Sequence, residues 1–257
     1  MYARSYANKE EYNINSFREV WNSEDANLSP KEALEQLENS DLKNEAKVTE
    51  LYDKASALCG TDCNACFDIL DEIIKINPSF RLAYVKKLRC IKRKDEQNIV
   101  DECKEVLLKF PSDDEVMGIA AQSLFILKKY NECNAFCQKA LAVNEFNHNG
   151  LFYKARLFSI LSKSEKNPNP IAVAIKYYRK YVQSMDKNPD LDYRAGYNNL
   201  GDLYKQEGKN SLAAVCYHKA LRFIEETIKN NGVTESRQRL LETQQRKVKE
   251  IEKIIGL

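Results

Sequence analysis

Residues that suit close helix packing recur along this chain at a nearly constant interval. Ala55, Leu88, Ala121 and Ala155 are separated by 33, 33 and 34 residues. Self-similarity at a fixed period of this size is typical of architectures in which one small supersecondary unit stacks on the next. The interval therefore restricts the chain to a repeat fold, and the content of the unit decides which repeat fold it is.

The clearest copy of the unit lies between Tyr197 and Phe223. Two helices of a hairpin approach closely only where side chains are small, so Gly or Ala recurs at the crossing. Gly201 and Ala213 are 12 residues apart, and Ala220 follows after 7 more, two helical turns along one face. The characteristic positions are Leu200, Gly201, Tyr204, Gly208, Ala213, Tyr217, Ala220 and Leu221. This pattern resembles the consensus of the tetratricopeptide (TPR) repeat.

The same spacing marks four further repeats, and the match covers roughly residues 44–227. Their second-helix positions are Cys66 and Ile73, Ile99 and Val106, Cys133 and Ala140, and Ala174 and Tyr181. The fourth repeat carries an insert at Lys163–Pro170, which is rich in turn-forming residues. A helical bundle whose spacing repeats by chance is the alternative, and the register shared by five repeats argues against it.

The resemblance implies an all-α fold, a right-handed α-α superhelix (a TPR-like solenoid) of antiparallel helix pairs. We expect an N-terminal extension with short helices at 1–43, the solenoid at 44–229 and a C-terminal capping helix at 230–257. The five repeats are predicted at about 44–78, 81–111, 114–147, 148–186 and 194–227.

Both ends of the chain carry amphipathic segments. Ser29 to Glu32 form a capping box with Pro30 at the first helical position, which predicts the start of a short helix. Residues 234–255 place apolar side chains on one stripe and charges on the other, as a lid over the last repeat requires. The segment before Ser29 could pack on the first repeat, fill the groove or dock elsewhere, and packing is the favoured interpretation.

The composition indicates a soluble chain with a core. Hydrophobic residues make up 43% and charged residues 30%, the net charge is +2 and the mean hydropathy is −0.58. The longest apolar stretch, Met117–Leu127, has 11 residues and is too short to span a bilayer. The N-terminus lacks the apolar core of a signal peptide. We therefore expect a cytoplasmic or nuclear protein with no membrane contact.

The chain has 8 cysteines, and we expect them to be reduced because no export signal is recognisable. Cys59, Cys63 and Cys66 have the spacing of an iron–sulfur triad, and the CxxC within it could bind zinc. Cys66, however, falls on a second-helix packing position, where a buried cysteine behaves as a small hydrophobe. Packing is the favoured interpretation, so the sequence predicts no metal and no cofactor.

The two histidines offer no starting point for catalysis. His148 lies in a predicted loop before the fourth repeat, and His218 lies between the packing positions Tyr217 and Ala220. Neither has a nucleophile or a Gly-rich phosphate loop nearby in sequence. We therefore predict that the protein is not an enzyme and that small molecules are not its ligands.

In TPR proteins the partner binds in a concave groove lined by the first helix of each repeat. Carried over to this chain, the groove is basic near one end, apolar in the middle and rich in amides at the other end. The candidate partner-binding residues are Lys86, Arg89, Arg93, Gln122, Phe125, Phe152, Arg156, Asn198, Asn199 and Lys205.

Residues 81–94 contain 7 basic side chains and no acid. Such a wall beside apolar residues suits a peptide with acidic and hydrophobic side chains, although charge runs are often only solvated surface. The prediction is a protein-interaction scaffold or adaptor, a subunit of a larger complex. RNA binding through the same basic segment, with the aromatic residues of Lys176–Tyr181, is the alternative.

The sequence departs from one well-known TPR site. The carboxylate clamp that holds acidic chaperone tails needs a Lys and an Asn four residues apart on one first helix. Phe152 and Arg156 occupy those places here, and only Asn199 matches the clamp's middle Asn. Without the paired donors the bidentate hold on a carboxylate is lost, so a chaperone-tail receptor is not expected.

Overall fold

The computed structural model describes residues 30–59, 61–91, 95–161, 170–184 and 193–256, with side chains from residue 41 onward. Arg93 of the predicted site lies outside these ranges, as do nearly all of the predicted insert in the fourth repeat and the amphipathic segment before Ser29.

The described residues form eleven helices and no strand. They are α1 (Pro30–Leu58), α2 (Cys63–Ile76), α3 (Arg81–Cys90), α4 (Glu96–Lys109), α5 (Asp114–Ile126), α6 (Tyr130–Val143), α7 (His148–Leu161), α8 (Pro170–Gln183), α9 (Arg194–Gln206), α10 (Asn210–Asn231) and α11 (Glu235–Ile255). The predicted all-α, TPR-like fold is confirmed. No helix among these is long and apolar enough to cross a lipid bilayer.

Aspartate side chains fix the start of three helices. Asp62 Oδ1 accepts the backbone N–H of Ala65 at the start of α2, at 3.1 Å. Asp95 and Asp113 do the same for α4 and α5. Each carboxylate satisfies an N–H group that has no partner within its helix and lies at the positive end of the helix dipole.

The first helix differs from the sequence-based expectation. The capping box predicts a short helix that begins at Pro30 and belongs to an extension ending at residue 43. The structure instead has one uninterrupted helix of 29 residues, Pro30–Leu58. The helix continues to Leu58 because no Gly or Pro lies between Lys31 and Cys59 to end it.

The chain divides into two compact units, Met1–Cys90 and Ile91–Leu257. The first contains α1, α2 and α3, and the second contains α4 to α11. The division falls inside the repeat predicted at 81–111, so its two helices belong to different units. The domain boundaries taken from the sequence therefore stay a prediction.

Every position of the register is buried. The first-helix positions are Ala55, Leu88, Ala121, Ala155 and Gly201, and the second-helix positions are Cys66, Ile73, Ile99, Val106, Cys133, Ala140, Ala174, Tyr181, Ala213 and Ala220. Gly201 shows why small residues are needed at the crossing. A Cβ atom added to it would lie 2.6 Å from Cε1 of the Tyr217 ring. The spacing in the sequence is thus the spacing of helix contacts.

Two hydrophobic clusters hold the second unit together. One joins α4 to α7 and includes Val100, Leu124, Cys137 and Leu157. The other runs from α7 to α11, where Val248 and Ile251 cover the end of the core. Gln244 reaches inward from α11 and donates to the backbone carbonyl of Tyr217 at 2.9 Å. The last helix therefore closes this core, as its amphipathic pattern suggested.

Two turns of the second unit have the same geometry but different residues. In the turn between α9 and α10, Gly208 has φ 73°, and Lys209 N–H donates to Tyr204 O at 2.8 Å. In the turn between α5 and α6, Lys128 has φ 59°, and Lys129 N–H donates to Leu124 O at 2.9 Å. A lysine thus occupies a left-handed position that favours glycine.

Candidate partner-binding surface

In the second unit the predicted site residues lie on α5, α7 and α9, and α5 contacts α7 directly. We call six of them the first-helix surface. Its members are Gln122, Phe125, Phe152, Arg156, Asn198 and Asn199. Arg156 is exposed, Phe125 is buried, and the other four side chains are half-buried.

Arg156 contacts both aromatic rings of the first-helix surface. The Cζ atom of its guanidinium group lies 4.4 Å from the centroid of the Phe125 ring and 5.9 Å from that of Phe152. Among the described residues no carboxylate lies within ion-pair distance of this side chain. The two rings orient the cation while leaving its hydrogen-bond donors open to solvent. The arrangement offers an anion-binding group with an apolar floor.

Asn199 is hydrogen-bonded to the core beneath the first-helix surface. Its Nδ2 atom donates to the Tyr178 hydroxyl at 3.0 Å, and the Tyr178 ring packs edge-on against Phe152 with centroids 5.9 Å apart. Burial raises the pKa of Tyr178, while the nearby Arg156 charge acts in the opposite direction. The hydroxyl therefore stays protonated. These contacts hold Asn199 and Phe152 in fixed positions against Tyr178.

Asn198, the neighbour of Asn199, has an unused acceptor. Within the described part of the chain no group donates to its Oδ1 atom, although that atom is shielded from solvent. A buried polar atom without a partner costs free energy, on the order of 1–3 kcal/mol.

At the far end of the predicted groove, charged side chains of α9 pair with charged side chains of the last helix, α11. Lys205 Nζ on α9 lies 3.8 Å from Glu250 Oε2 on α11. Asp202 accepts from Lys247 Nζ at 2.9 Å and from the Tyr217 hydroxyl at 2.7 Å. Sequence reasoning placed Lys205 in the groove, but the structure shows that α11 already provides it with a carboxylate.

In the first unit the predicted basic residues lie on α3. Lys86 Nζ donates to Ser56 Oγ at 2.7 Å and lies 4.9 Å from the centroid of the Tyr52 ring. Lys87 pairs with Asp71 at 2.6 Å. Arg89 is exposed. Two of the basic side chains of this segment are thus directed back onto the helices that precede them.

Both histidines contact other side chains. His148 begins α7 instead of lying in a loop, and its Nε2 atom lies 3.3 Å from the Tyr181 hydroxyl. His218 Nε2 lies 3.0 Å from Glu252 Oε1 on α11. These contacts fit packing and surface pairing between helices.

A buried lysine on α7 was not singled out from the sequence. Lys154 is only 5% exposed, and its Nζ atom donates to Asn134 Oδ1. Burial lowers its pKa, while the neighbouring thiols of Cys133 and Cys137 act in the opposite direction. A search for runs of charged residues does not find Lys154, because it is a single lysine in an apolar segment. Its burial keeps it away from any partner at the surface.

The cysteines of the first unit depart from the expectation of free thiols. A disulfide joins Cys59 and Cys90, whose Cα atoms are 6.6 Å apart, and Cys66 lies beside them. Cys66 is fully buried, as its packing position predicted, and its thiol donates to Ala55 O at 3.4 Å. Burial raises the pKa of Cys66, and the Lys86 charge opposes this. Cys90 was missed because it is 24 residues from Cys66 in sequence.

Comparisons with known proteins bear on the fold alone. No model of a known protein family matches the chain, and no curated protein matches it. Among solved structures, a thermophilic TPR protein (TTC0263) of Thermus thermophilus superposes with a TM-score of 0.54 at 11% identity, covering 78% of this chain and 98% of that one. A crystal structure of MamA gives 0.47 at 16% identity, with 65% and 92% covered. A fragment of MamA from Desulfovibrio magneticus RS-1 gives 0.47 at 13% identity, with 70% and 96% covered.

Proposed function

We propose that this TPR-like helical repeat protein is a non-catalytic interaction scaffold, a subunit of a larger complex, that holds a peptide segment of a partner protein on the first-helix surface. The observation that carries the proposal is Arg156. It is an exposed cation oriented by Phe125 and Phe152, and no carboxylate of the described chain pairs with it.

The chemistry of the surface specifies the kind of peptide. A carboxylate of the partner would bind the guanidinium donors, and apolar side chains next to it would lie against Phe152. The proposed partner is therefore an acidic and apolar segment, and the binding residues are those of the first-helix surface.

Arg89 and Lys86 of the first unit, together with Arg93, stay candidate contacts for the same class of partner. Lys205 is a weaker candidate because Glu250 already lies near its charge. The prediction of a cytoplasmic or nuclear location rests on the sequence alone.

RNA binding is the less favoured function. Phosphate binding uses basic side chains that displace counterions and are free to reach the backbone of the nucleic acid. Lys87 pairs with Asp71, and Lys86 donates to Ser56, so this pair is poorly placed for that role. No contact in the described residues favours RNA over a protein partner.

Selection from a displayed random-peptide library tests the proposal with the full chain as bait. We expect the enriched peptides to combine acidic with apolar residues. Arg156→Glu should weaken the best peptide by at least about 10-fold, which corresponds to about 1.4 kcal/mol, because it turns attraction into repulsion.

Lys139→Glu is the matched control, because Lys139 is also an exposed cation over an aromatic ring, Phe136 at 5.4 Å, but on the second helix α6. Its affinity should stay within about twofold of the wild type. Equal losses in the two variants, or enriched peptides without acidic residues, would contradict the proposal.

A further inference from the structure

Three cysteines from three helices meet at one end of the first unit. The helices α1, α2 and α3 are joined by short turns and run antiparallel, so the ends of α1 and α3 lie beside the start of α2. Cys59 follows the last residue of α1, Cys66 lies in the first turn and a half of α2, and Cys90 ends α3. The fold thus brings together residues that are far apart in sequence.

The sulfur atoms of these residues form a compact group. All three Sγ atoms lie within 4.8 Å of one another. Cys66 and Cys90 are buried, and Cys59 is half-buried at the edge of the group. The packing role of Cys66 accounts for one of these positions, but a packing role alone does not require that three cysteine sulfur atoms converge.

The distance between the sulfur atoms of Cys66 and Cys90 suits a thiolate metal site. Zinc binds thiolates at about 2.3 Å in a tetrahedral arrangement, which places neighbouring sulfur atoms about 3.8 Å apart. Cys66 Sγ and Cys90 Sγ are 3.8 Å apart. Soft thiolate ligands select thiophilic ions such as Zn²⁺ over Mg²⁺ or Ca²⁺.

We propose that Cys59, Cys66 and Cys90 bind one Zn²⁺ ion when the Cys59–Cys90 disulfide is reduced. A dithiol reductant transfers two electrons and two protons to the disulfide and itself becomes a disulfide, which leaves three protein thiols. These release their protons to solvent as the thiolates bind the metal, and water occupies the fourth position. Oxidation removes two of the three ligands, so zinc binding and the disulfide exclude each other.

Titration of the full chain with Co²⁺ and then Zn²⁺ tests this site. The protein is reduced with dithiothreitol, which is removed under anaerobic conditions, and the thiolate-to-cobalt charge-transfer band is followed. We expect about one ion per chain in the reduced wild type and no band in the oxidised protein. Cys66→Ser and Cys90→Ser should each lower the zinc affinity at least about 10-fold.

Cys63→Ser is the matched control, because Cys63 is a free thiol on the same turn of α2 but outside the sulfur group. It should bind zinc within about twofold of the wild type. Absence of the charge-transfer band in the reduced wild type, or unchanged affinity in Cys66→Ser, would overturn the proposal.

A second measurement on the wild type guards against variants that fail to fold. The reduced chain is alkylated with iodoacetamide with and without Zn²⁺, and each cysteine is quantified by mass spectrometry. Zinc should slow the modification of Cys59, Cys66 and Cys90 and leave Cys63 unchanged. Equal rates with and without zinc at all four residues would overturn the proposal as well.

Discussion

Lys128, in the second unit, has a backbone conformation that is unfavourable for any residue with a side chain. Its φ of 59° places the residue in the left-handed region, where a Cβ atom costs about 1–2 kcal/mol. The equivalent turn between α9 and α10 has Gly208 at that position. The comparison within one chain therefore indicates that glycine is the better residue in the α5–α6 turn.

We predict that Lys128→Gly stabilises the protein by about 0.5–1 kcal/mol, the steric relief less the added flexibility of glycine in the unfolded chain. Urea denaturation measures the change. Lys128→Ala is the control, because it removes the long side chain but keeps the Cβ atom, and it should give no comparable gain. A gain of equal size in both variants would contradict the backbone explanation.

Gly201 shows the opposite situation, a glycine needed for space. The nearest ring atoms of Tyr217 lie 2.6 and 2.8 Å from where a Cβ would be. The ring is buried, and its hydroxyl donates to Asp202 at 2.7 Å, so it has little freedom to move. Gly201→Ala should therefore destabilise the protein by about 1–3 kcal/mol, although Ala is the better helix former.

The same experiment in a Tyr217→Leu background isolates the cause of that loss. Gly201→Ala should cost clearly less there, and the difference between the two backgrounds measures the steric coupling in a double-mutant cycle. A Gly201→Ala variant that melts above the wild type would show that helix propensity outweighs the contact.

At the scale of elements, α11 is the helix whose contribution is easiest to test. One face of it buries Val248 and Ile251, while Ile254, three residues later, is 52% exposed. We predict that Ile251→Ala costs about 2–5 kcal/mol, because it leaves a cavity at the end of the core. Ile254→Ala should change stability by less than about 0.5 kcal/mol. Similar losses for both isoleucines in urea denaturation would mean that α11 does not cover the core.

The helices also show which features of the fold can be predicted from the sequence and which cannot. Helix positions such as Ala55, Ala121 and Gly201 were predicted correctly because helix crossings need small residues at regular intervals, and regular intervals are visible in a sequence. The predicted length of α1 was wrong, because a start signal at Pro30 does not say where the helix ends.

Contacts between distant parts of the chain could not be predicted in this way. The pairing of Lys205 with Glu250 depends on where α11 lies relative to α9, and no local pattern gives that position. The meeting of Cys90 with Cys66 likewise depends on the end of α3 lying beside the start of α2. The candidate site residues therefore stay a prediction from the sequence, and the pairing of Lys205 with Glu250 could not be predicted from it.

At the scale of the whole molecule, the chain is a TPR-like repeat protein in two compact units. Its second unit presents an oriented arginine, two aromatic rings and two amides on its first helices. The second helices of the same unit supply the core behind that surface, through residues such as Tyr178, Cys133 and Ala213. Under the proposed function, the first helices bind the partner and the second helices support them.

Hydrogen–deuterium exchange of the full chain, with and without the best selected peptide, tests that assignment most directly. Binding slows amide exchange where the peptide covers the surface or suppresses local opening. We predict slower exchange in α5, α7 and α9, centred on Phe125, Arg156 and Asn199. Slower exchange confined to α6, α8 and α10, or no change in the second unit, would contradict it.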